Sequence, residues 1–308
     1  MIFIILGIVL FLLLVYVINC CIVYKIIIRR NKEIPLVDLD LSKTQYKDFE
    51  NEVRNYTSFF NNIKPEIVEI KSYDNLILKG YYYKNTSNDF VIMFHGYRAT
   101  PLNNFAVMGK KLYEKGYNLL MIVERSHGIS EGKDITFGIK ESIDSHSWIE
   151  FVNNTYKPNN IFLYGVSMGS AVILLNKSLN EEKNVRCIIA DCPLDRSKHA
   201  ITLGLKRKMK FIPYLTVFGV LAIARLKGIS FKNDKVYENV KNINVPILFI
   251  HGRSDDLIPI ENGRRVFENA NEPKKMIETE ALHAMSIYYQ LDFVSNEIMD
   301  FIKKYTIN

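Results

Sequence analysis

The sequence predicts an α/β fold in which a mostly parallel sheet is flanked by helices. Five apolar segments have the composition of strands buried on both faces, and helical segments alternate with them. A third observation is the charge-free N-terminus, which predicts a transmembrane helix ahead of the folded part. We therefore expect a transmembrane anchor at residues 1–30, a linker at 31–65 and one α/β domain at 66–308.

The N-terminal segment from Ile2 to Tyr24 contains no charged residue. As a helix it extends about 34 Å, which is enough to cross about 30 Å of bilayer hydrocarbon. A cleaved signal peptide would need a basic start and a small-residue cleavage site, and neither is present. Four basic residues follow the span: Lys25, Arg29, Arg30 and Lys32. The positive-inside rule then predicts a single-pass membrane protein whose folded domain is cytoplasmic.

Composition excludes several other classes of protein. The formal net charge of +7 is spread along the chain without a basic stripe, so we expect no nucleic-acid partner. The cysteines are two adjacent residues in the apolar N-terminus, Cys20 and Cys21, and two near a buried strand, Cys187 and Cys192. They do not form a disulfide framework. No metal-ligand cluster, dinucleotide-binding motif or phosphate loop occurs, so no cofactor and no metal are implied.

The elements of the domain follow from alternation and from turn residues. Residues 66–84 alternate and are interrupted by Asp74-Asn75, which predicts a β-hairpin. Thr100-Pro101 supplies an N-cap and a first-turn proline for a helix that ends near Gly116. The buried strands are DFVIMFHG, YNLLMIVE, NIFLYGVS, VRCIIADCP and VPILFIHG, and KKMIETE is a last short strand. A final helix is predicted over 286–305.

Residues 195–244 leave the strand–helix alternation for about 50 residues, and long connections of this kind are usually functional. The segment carries the basic residues Lys206, Arg207, Lys208 and Lys210, followed by the apolar run LTVFGVLAIA. That run is too short to span a bilayer. We expect a helical cap that closes the active site, and a second hypothesis is that this cap touches the membrane lipid.

The third buried strand ends in Gly165-Val166-Ser167-Met168-Gly169 and runs directly into a helix. A serine on a tight strand-to-helix turn is held in a strained conformation with its hydroxyl exposed. A side chain at either glycine would collide with the neighbouring strand or helix, which explains the glycines. Ser167 is therefore the predicted nucleophile.

A serine hydroxyl needs a base, and the base needs an orienting acid. His283 follows the last predicted strand, and Asp255 and Asp256 follow the fifth buried strand. Their chain order of Ser, Asp, His is the one expected for a nucleophile on such a turn. Only one of two successive aspartates can face the histidine, and we favour Asp255 because it comes first after the turn.

An oxyanion formed at this serine needs two hydrogen-bond donors. The backbone N–H of Met168, directly after the nucleophile, is the first predicted donor. The second is expected in the loop FHGYRAT after the first buried strand, and the N–H of Tyr97 is our candidate. His95 in the same loop is expected to be a hydrogen-bonded packing residue.

These motifs resemble the α/β-hydrolase superfamily, and specifically its bacterial serine-hydrolase branch of esterases and serine aminopeptidases. The matching segments occur in the family order and span most of residues 66–305: FHGYRATP, ERSHGISEGKDITFGIKESID, LYGVSMGSA, ADCPLD, VPILFIHGRSDDLIP and LHAMS. The resemblance implies the α/β-hydrolase fold and supports Asp255 as the triad acid. It also implies a turn-shaping role for a group of loop residues: Arg125, Ser126, His127, Gly128 and Ser130.

The sequence thus predicts a membrane-anchored serine hydrolase of carboxylic esters or related acyl bonds (EC 3.1.1). Its substrate would be a small acyl compound. A serine peptidase with the same triad is a second possibility, and it would need an acidic group for the substrate amine. A third possibility is a non-catalytic receptor that binds an acyl ligand in a hydrolase pocket.

Overall fold

A computed structural model of the chain describes residues 1–30, 41, 44–208 and 213–307. Most of the first part of the predicted linker, including Lys32, lies outside the described residues. So do Lys210, Phe211 and Ile212 of the predicted cap.

In this part of the chain, eight strands form one sheet: β1 Glu66–Lys71, β2 Ile77–Tyr83, β3 Phe90–Phe94, β4 Asn118–Val123, β5 Ile161–Val166, β6 Val185–Asp191, β7 Ile247–Gly252 and β8 Lys274–Thr279. The described α-helices are α1 Ile2–Ile27, α2 Glu50–Asn61, α3 Pro101–Glu114, α4 Glu141–Tyr156, α5 Met168–Leu174, α6 Ser197–Lys208, α7 Pro213–Leu226, α8 Val236–Asn239, α9 Ile260–Asn269, α10 Ser286–Tyr289 and α11 Leu291–Tyr305.

The strands are arranged in the order β1-β2-β4-β3-β5-β6-β7-β8. The β1–β2 and β2–β4 pairs are antiparallel, and every other pair is parallel. The mostly parallel sheet is therefore confirmed. The predicted hairpin is also confirmed, because β1 and β2 pair from Glu66 opposite Tyr82 to Lys71 opposite Ile77. Its turn contains Asn75 at a φ of 66°, a backbone conformation that asparagine tolerates better than most residues.

The sheet is buried on both faces, as the apolar strands predict. Along β3, Phe90, Ile92 and Phe94 pack in the core shared with α4 and α9. Val91 and Met93 alternate with them and pack in the core shared with α3 and α11. The two-residue period of a strand sends successive side chains to opposite faces, so a continuous apolar run supplies both cores.

The C-terminal helix differs from the prediction. Residues 286–305 form two helices, because the backbone of Gln290 leaves the helical region at φ −138° and ψ 58°. Tyr288 and Tyr289 in α10 pack their rings against Phe49, with centroid distances of 5.7 and 5.3 Å. These contacts pack α10 against the segment that precedes α2.

The predicted cap insertion contains α6, α7 and α8. Helix α7 packs along α1, and both contribute to an apolar cluster that includes Met168. By length and composition α1 can cross a membrane, with a mean hydropathy of 3.0 in its most apolar window and no buried residue there. The cap and the end of the apolar helix therefore meet close to the residues that follow β5.

Candidate active site

Three predicted site residues follow strands that lie side by side. Ser167 follows β5, Asp255 lies just past the end of β7, and His283 lies in the loop after β8. Because β5 to β8 are parallel and adjacent, their carboxyl ends share one edge of the sheet. This edge is where ligands bind in open α/β sheets.

Ser167 occupies a strained backbone conformation between β5 and α5. Its φ of 55° and ψ of −112° are unusual for a residue with a side chain. A Cβ at Gly165 would lie 2.5 Å from backbone atoms of Gly169, and a Cβ at Gly169 would overlap the carbonyl oxygen of Phe94. The two glycines therefore let the turn pack closely enough to present the serine hydroxyl.

The side chains of Ser167, His283 and Asp255 form a continuous hydrogen-bonded chain. Ser167 Oγ lies 2.9 Å from His283 Nε2, and His283 Nδ1 lies 2.7 Å from Asp255 Oδ2. A carboxylate only accepts, so Nδ1 carries the proton and Nε2 can accept the serine hydroxyl. All three residues are buried. The arrangement can remove the serine proton during attack on a carbonyl.

Asp255 is held in place as a charged carboxylate. Its Oδ1 accepts backbone N–H groups of Leu257 at 3.0 Å and Ile258 at 2.7 Å. Burial acts to raise the pKa of Asp255, but hydrogen bonds from His251 and His283 outweigh it and hold that pKa well below the usual range. Asp256 is exposed, so of the two candidate acids Asp255 is the one directed at His283.

The loop after β3 lies against the nucleophile. A Cβ at Gly96 would be 3.5 Å from Ser167 Cβ, so the backbone of the loop passes directly beside the serine. Asn104 Oδ1 fixes the loop by accepting the Gly96 N–H at 2.8 Å. Within the described residues, the N–H groups of Tyr97 and Met168 make no backbone hydrogen bond that would occupy them. Both are thus available as oxyanion donors.

Two neutral histidines support this loop from behind. His95 donates from Nδ1 to the Gly96 carbonyl at 2.8 Å and accepts the Glu124 N–H at 3.1 Å. His127 accepts the Arg98 N–H at Nε2, at 3.0 Å. Burial lowers the pKa of His95 to about 4 and holds the pKa of His127 well below its usual value. Each ring therefore keeps one nitrogen unprotonated to accept the backbone N–H.

The loop of Arg125 to Ser130 is held by buried polar contacts. Arg125 pairs with Asp144 through Nε at 2.5 Å and with Asp74 at 2.9 Å. Ser130 Oγ donates to the Val123 carbonyl at 2.6 Å. Positive φ angles at Ser126 (64°) and Gly128 (40°) turn the chain sharply between them. These contacts agree with the structural role expected for this loop.

The C-terminal end of α1 is fastened to the loop that carries Tyr97. The Tyr97 hydroxyl donates to the Ile27 carbonyl at 2.8 Å, and Arg98 donates to the carbonyls of Ile26 and Arg29 at 2.5 and 3.1 Å. We call these three hydrogen bonds the anchor clamp. The Tyr97 ring also stacks on Phe137 with centroids 4.9 Å apart. The end of the apolar helix is thus part of the rim of the site.

Arg30 makes a second set of contacts between this helix end and the domain. Its guanidinium donates to the carbonyls of Gly128 and Ser130 at 2.5 and 2.7 Å. Its backbone N–H donates to the Lys133 carbonyl at 2.8 Å. These bonds join residues about 100 positions apart in the chain, so no local pattern could have indicated them.

An apolar cluster surrounds Met168, the residue after the nucleophile. It combines side chains of α1, the loop before α4, α6 and α7, and we call it the α1–cap cluster: Val23, Ile27, Phe137, Ile201, Val220 and Met168 are among its buried members. An apolar wall beside the serine suits the acyl part of a substrate.

His251 is a site residue that sequence reasoning missed. It is the penultimate residue of β7, four residues before Asp255, and its Nε2 lies 3.4 Å from Asp255 Oδ2 and 2.9 Å from the Ile258 carbonyl. The available signal was its position near the carboxyl end of a buried strand, at the sheet edge that also carries Asp255. Its partnership with Asp255 depends on the turn between them, which the sequence pattern does not specify.

Cys192, Asp255 and His283 offer donor atoms within 4.8 Å of one another, a spacing that could hold a metal ion. The residues fit a metal poorly, because burial holds the pKa of the Cys192 thiol well above its usual value and a metal ligand must be a thiolate. The histidine and aspartate are already engaged with each other and with Ser167.

Comparisons with known proteins agree with this fold. The family model described as serine aminopeptidase, S33, matches residues 86–235. The uncharacterized protein YqkD of Bacillus subtilis is 29% identical over 218 residues, covering 68% of this chain and 70% of YqkD. The lysophosphatidylserine lipase ABHD12 of Danio rerio is 23% identical over 196 residues, covering 62% of this chain but only 50% of that protein.

Among solved structures, the esterase Pf2001 of Pyrococcus furiosus superposes with a TM-score of 0.67 and is 26% identical. The match covers 82% of this chain and 95% of the esterase. Its similar proteins of this fold include esterases and lipases, so the chain has the architecture of an esterase- or lipase-like hydrolase. The resemblance seen in the motifs is confirmed: the chain has the α/β-hydrolase fold and is similar to esterases and serine aminopeptidases of that fold.

Proposed function

We propose that this protein is a membrane-anchored serine hydrolase that cleaves carboxylic esters or related acyl bonds (EC 3.1.1). The observation that carries the proposal is the buried chain of hydrogen bonds from Ser167 through His283 to Asp255, at 2.9 and 2.7 Å. The strained turn that presents the serine supports it further, because a nucleophile needs an accessible hydroxyl beside its base.

In the proposed reaction, Ser167 Oγ attacks the acyl carbonyl while His283 Nε2 takes the serine proton. Asp255 stabilises the resulting imidazolium, and the N–H groups of Tyr97 and Met168 bind the oxyanion. The intermediate then collapses, the ester bond breaks, and His283 gives the proton to the departing alcohol. Water enters by the same relay, releases the acid and regenerates the serine.

An ester substrate is favoured over a peptide by the apolar side chains around Met168. An acyl chain can pack there, whereas an aminopeptidase must bind a charged substrate amine with a carboxylate. The names of the Pyrococcus furiosus esterase and of the lysophosphatidylserine lipase ABHD12 point in the same direction. The serine aminopeptidase family model keeps a peptidase as the second candidate.

We propose that α1 stays attached as the membrane anchor. It is long and apolar enough to span a bilayer, and its last turns are buried against the domain at Val23, Tyr24 and Ile27. Removal of the helix as a signal sequence would uncover those apolar contacts and break the anchor clamp. The basic residues Lys25 and Arg29 favour a catalytic domain on the cytoplasmic side.

The test is labelling of the full-length protein, in detergent, by a fluorophosphonate probe. We expect the wild type and Ser58→Ala to be labelled and Ser167→Ala to be unlabelled, because Ser58 is an exposed serine on α2 outside the relay. Absence of labelling in a folded wild-type protein would favour the receptor alternative. The rates of hydrolysis of p-nitrophenyl esters and of aminoacyl p-nitroanilides are then compared. Faster hydrolysis of the esters indicates an esterase, and faster hydrolysis of the anilides indicates a peptidase.

A further inference from the structure

Helix α7 runs parallel to the C-terminal half of α1. The Tyr16 hydroxyl donates to the Leu215 carbonyl at 2.8 Å near the start of α7. One turn later a Cβ at Gly219 would lie 2.6 Å from the Tyr16 hydroxyl and would overlap Cys20 Sγ. Beyond the far end of α7, Lys227 Nζ lies 5.8 Å from the centre of the Tyr24 ring. Close packing at a small residue is typical of helix pairs in membranes.

The outward face of α7 is apolar and exposed. Tyr214 is 66% exposed, Leu215 52% and Phe218 71%, and Phe218 lies about one helical turn after the other two at the start of the helix. The opposite face, with Val217 and Val220, is buried in the α1–cap cluster. Leu215 and Phe218 thus present two large, exposed apolar side chains beside the proposed membrane-spanning helix.

We infer that the first turns of α7 are embedded in the membrane beside α1, so that lipid acyl chains cover Tyr214, Leu215 and Phe218. The inference rests on the proposed anchoring by α1. Continuity supports lipid as the occupant, because the exposed side of α7 adjoins the exposed apolar residues Val15 and Val17 of α1 through the Tyr16 contact.

The charges in the chain limit how deep α7 can lie. Four basic residues, Lys206, Arg207, Lys208 and Lys210, directly precede α7 in the sequence, and basic side chains are costly in the middle of a bilayer. The start of α7 therefore lies at the boundary between headgroups and acyl chains. Tyrosines are enriched at this depth, which suits both Tyr16 and Tyr214.

This depth is consistent with the length of α1. Residues Ile2 to Asn19 then cross the hydrocarbon, and 18 helical residues extend about 27 Å, close to the thickness of a bilayer core. The last turns of α1, with the buried residues Cys20, Val23 and Tyr24, stand outside the lipid and pack against the cap.

Tryptophan fluorescence tests the inference, because the chain has one tryptophan, Trp148, which is buried and gives a constant background. Phe218→Trp, Leu226→Trp and Phe293→Trp are compared in the full-length protein, reconstituted in phosphatidylcholine vesicles with brominated acyl chains. Leu226 is 88% exposed at the far end of α7, and Phe293 is 49% exposed on α11. Ile8→Trp in α1 reports the anchoring itself.

We expect the added fluorescence of Phe218→Trp to be strongly quenched, more by bromines near the headgroup than by deep ones. Leu226→Trp, roughly 12 Å further along the helix, should be quenched less, and Phe293→Trp no more than the wild type. If Phe218→Trp is quenched no more than Phe293→Trp, the inference is wrong. If Phe218→Trp and Leu226→Trp are quenched equally, the proposed depth of α7 is wrong.

An unquenched Ile8→Trp would show separately that α1 does not enter the bilayer. Loss of hydrolase activity changes none of these signals, so the inference and the proposed function fail in distinguishable ways.

Discussion

His251 Nε2 lies 3.4 Å from Oδ2 of Asp255, the same carboxylate oxygen that His283 Nδ1 approaches to 2.7 Å. One carboxylate oxygen therefore faces two imidazoles, and both are buried with it. A Cβ at Gly263 would overlap His251 Nδ1, so α9 fits closely against the ring and fixes its position. We interpret His251 as a positioning residue that holds Asp255 towards His283.

Replacing His251 should therefore slow the reaction without weakening substrate binding. We expect His251→Leu to lower kcat by up to about tenfold at unchanged KM, since the ring approaches Asp255 Oδ2 to 3.4 Å and also bonds the Ile258 carbonyl in the turn that holds this carboxylate. His251→Gln keeps a side-chain N–H donor and should retain most of the activity. Steady-state kinetics on a p-nitrophenyl ester measures both values. Equal losses in the two variants would assign His251 a packing role alone.

The anchor clamp predicts that contacts of α1 affect the reactivity of the serine. Arg98→Ala removes the donors to the Ile26 and Arg29 carbonyls, and we expect fluorophosphonate labelling to slow by up to about tenfold because the loop carrying Tyr97 loses its support. The control is Lys110→Ala on α3. Lys110 is also a partly buried cation, but its Nζ lies 3.9 Å from Glu114 on the same helix and is not part of the anchor clamp. A labelling rate equal to that of the control would separate the clamp from catalysis.

His95 should contribute less to stability as the pH falls from neutral. The pKa of His95 is lowered by burial from 6.5 to about 4, so between these pH values the unfolded chain binds a proton that the folded protein does not. Its contribution is therefore complete above pH 6.5 and lost towards pH 4, by about 3 kcal/mol. His127 contributes with the same sign. Burial raises the pKa values of Asp144 and Asp191 to about 6, which acts in the opposite direction, so the contribution of His95 is measured against a variant that lacks it.

The thermal unfolding midpoint, measured at several pH values between 4 and 7, checks this expectation. His95→Gln removes the titrating group, so between pH 7 and pH 4 the midpoint of the variant should lose less than that of the wild type, even if it is lower throughout. Equal changes of the two midpoints with pH would contradict the assignment of a buried neutral His95.

The two-glycine turn predicts a sharp contrast between alanine substitutions. Gly169→Ala would place a methyl group on the Phe94 carbonyl oxygen, and we expect a loss of several kcal/mol of unfolding free energy or no soluble protein. Gly204→Ala on α6 meets no atom within 4 Å and should be neutral or stabilise by up to about 1 kcal/mol. Thermal unfolding midpoints and purified yields compare the two variants. A well-folded Gly169→Ala protein would contradict the described packing.

The strands, the hairpin and the turn at Ser167 could be predicted because each depends on a local pattern. A continuous apolar run specifies a doubly buried strand, and Gly165 with Gly169 signals a close approach at the turn. The geometry that joins Ser167, Asp255 and His283 follows from their shared position at the ends of neighbouring parallel strands. Their catalytic roles remain a prediction.

The contacts of α1 could not be predicted in the same way. The hydrogen bonds from Tyr97 and Arg98 join residues about 70 positions apart, and they end on backbone carbonyls, which carry no sequence signal. His251 was missed because the turn that brings Asp255 back to it is irregular. The split between α10 and α11 has a similar cause, since rings of Phe49 and Tyr288 from distant segments decide it.

If α1 is the membrane anchor, as we propose, the anchor clamp also limits how far Ser167 can reach. A domain on a flexible tether could swing over many nanometres of solution, but α1 is bonded directly to the rim of the site through Tyr97, Arg98 and Arg30. The serine would then be carried at one fixed height and one orientation above the bilayer. Encounters with a substrate in the membrane would become a search in two dimensions, governed by lateral diffusion and by the surface density of the substrate.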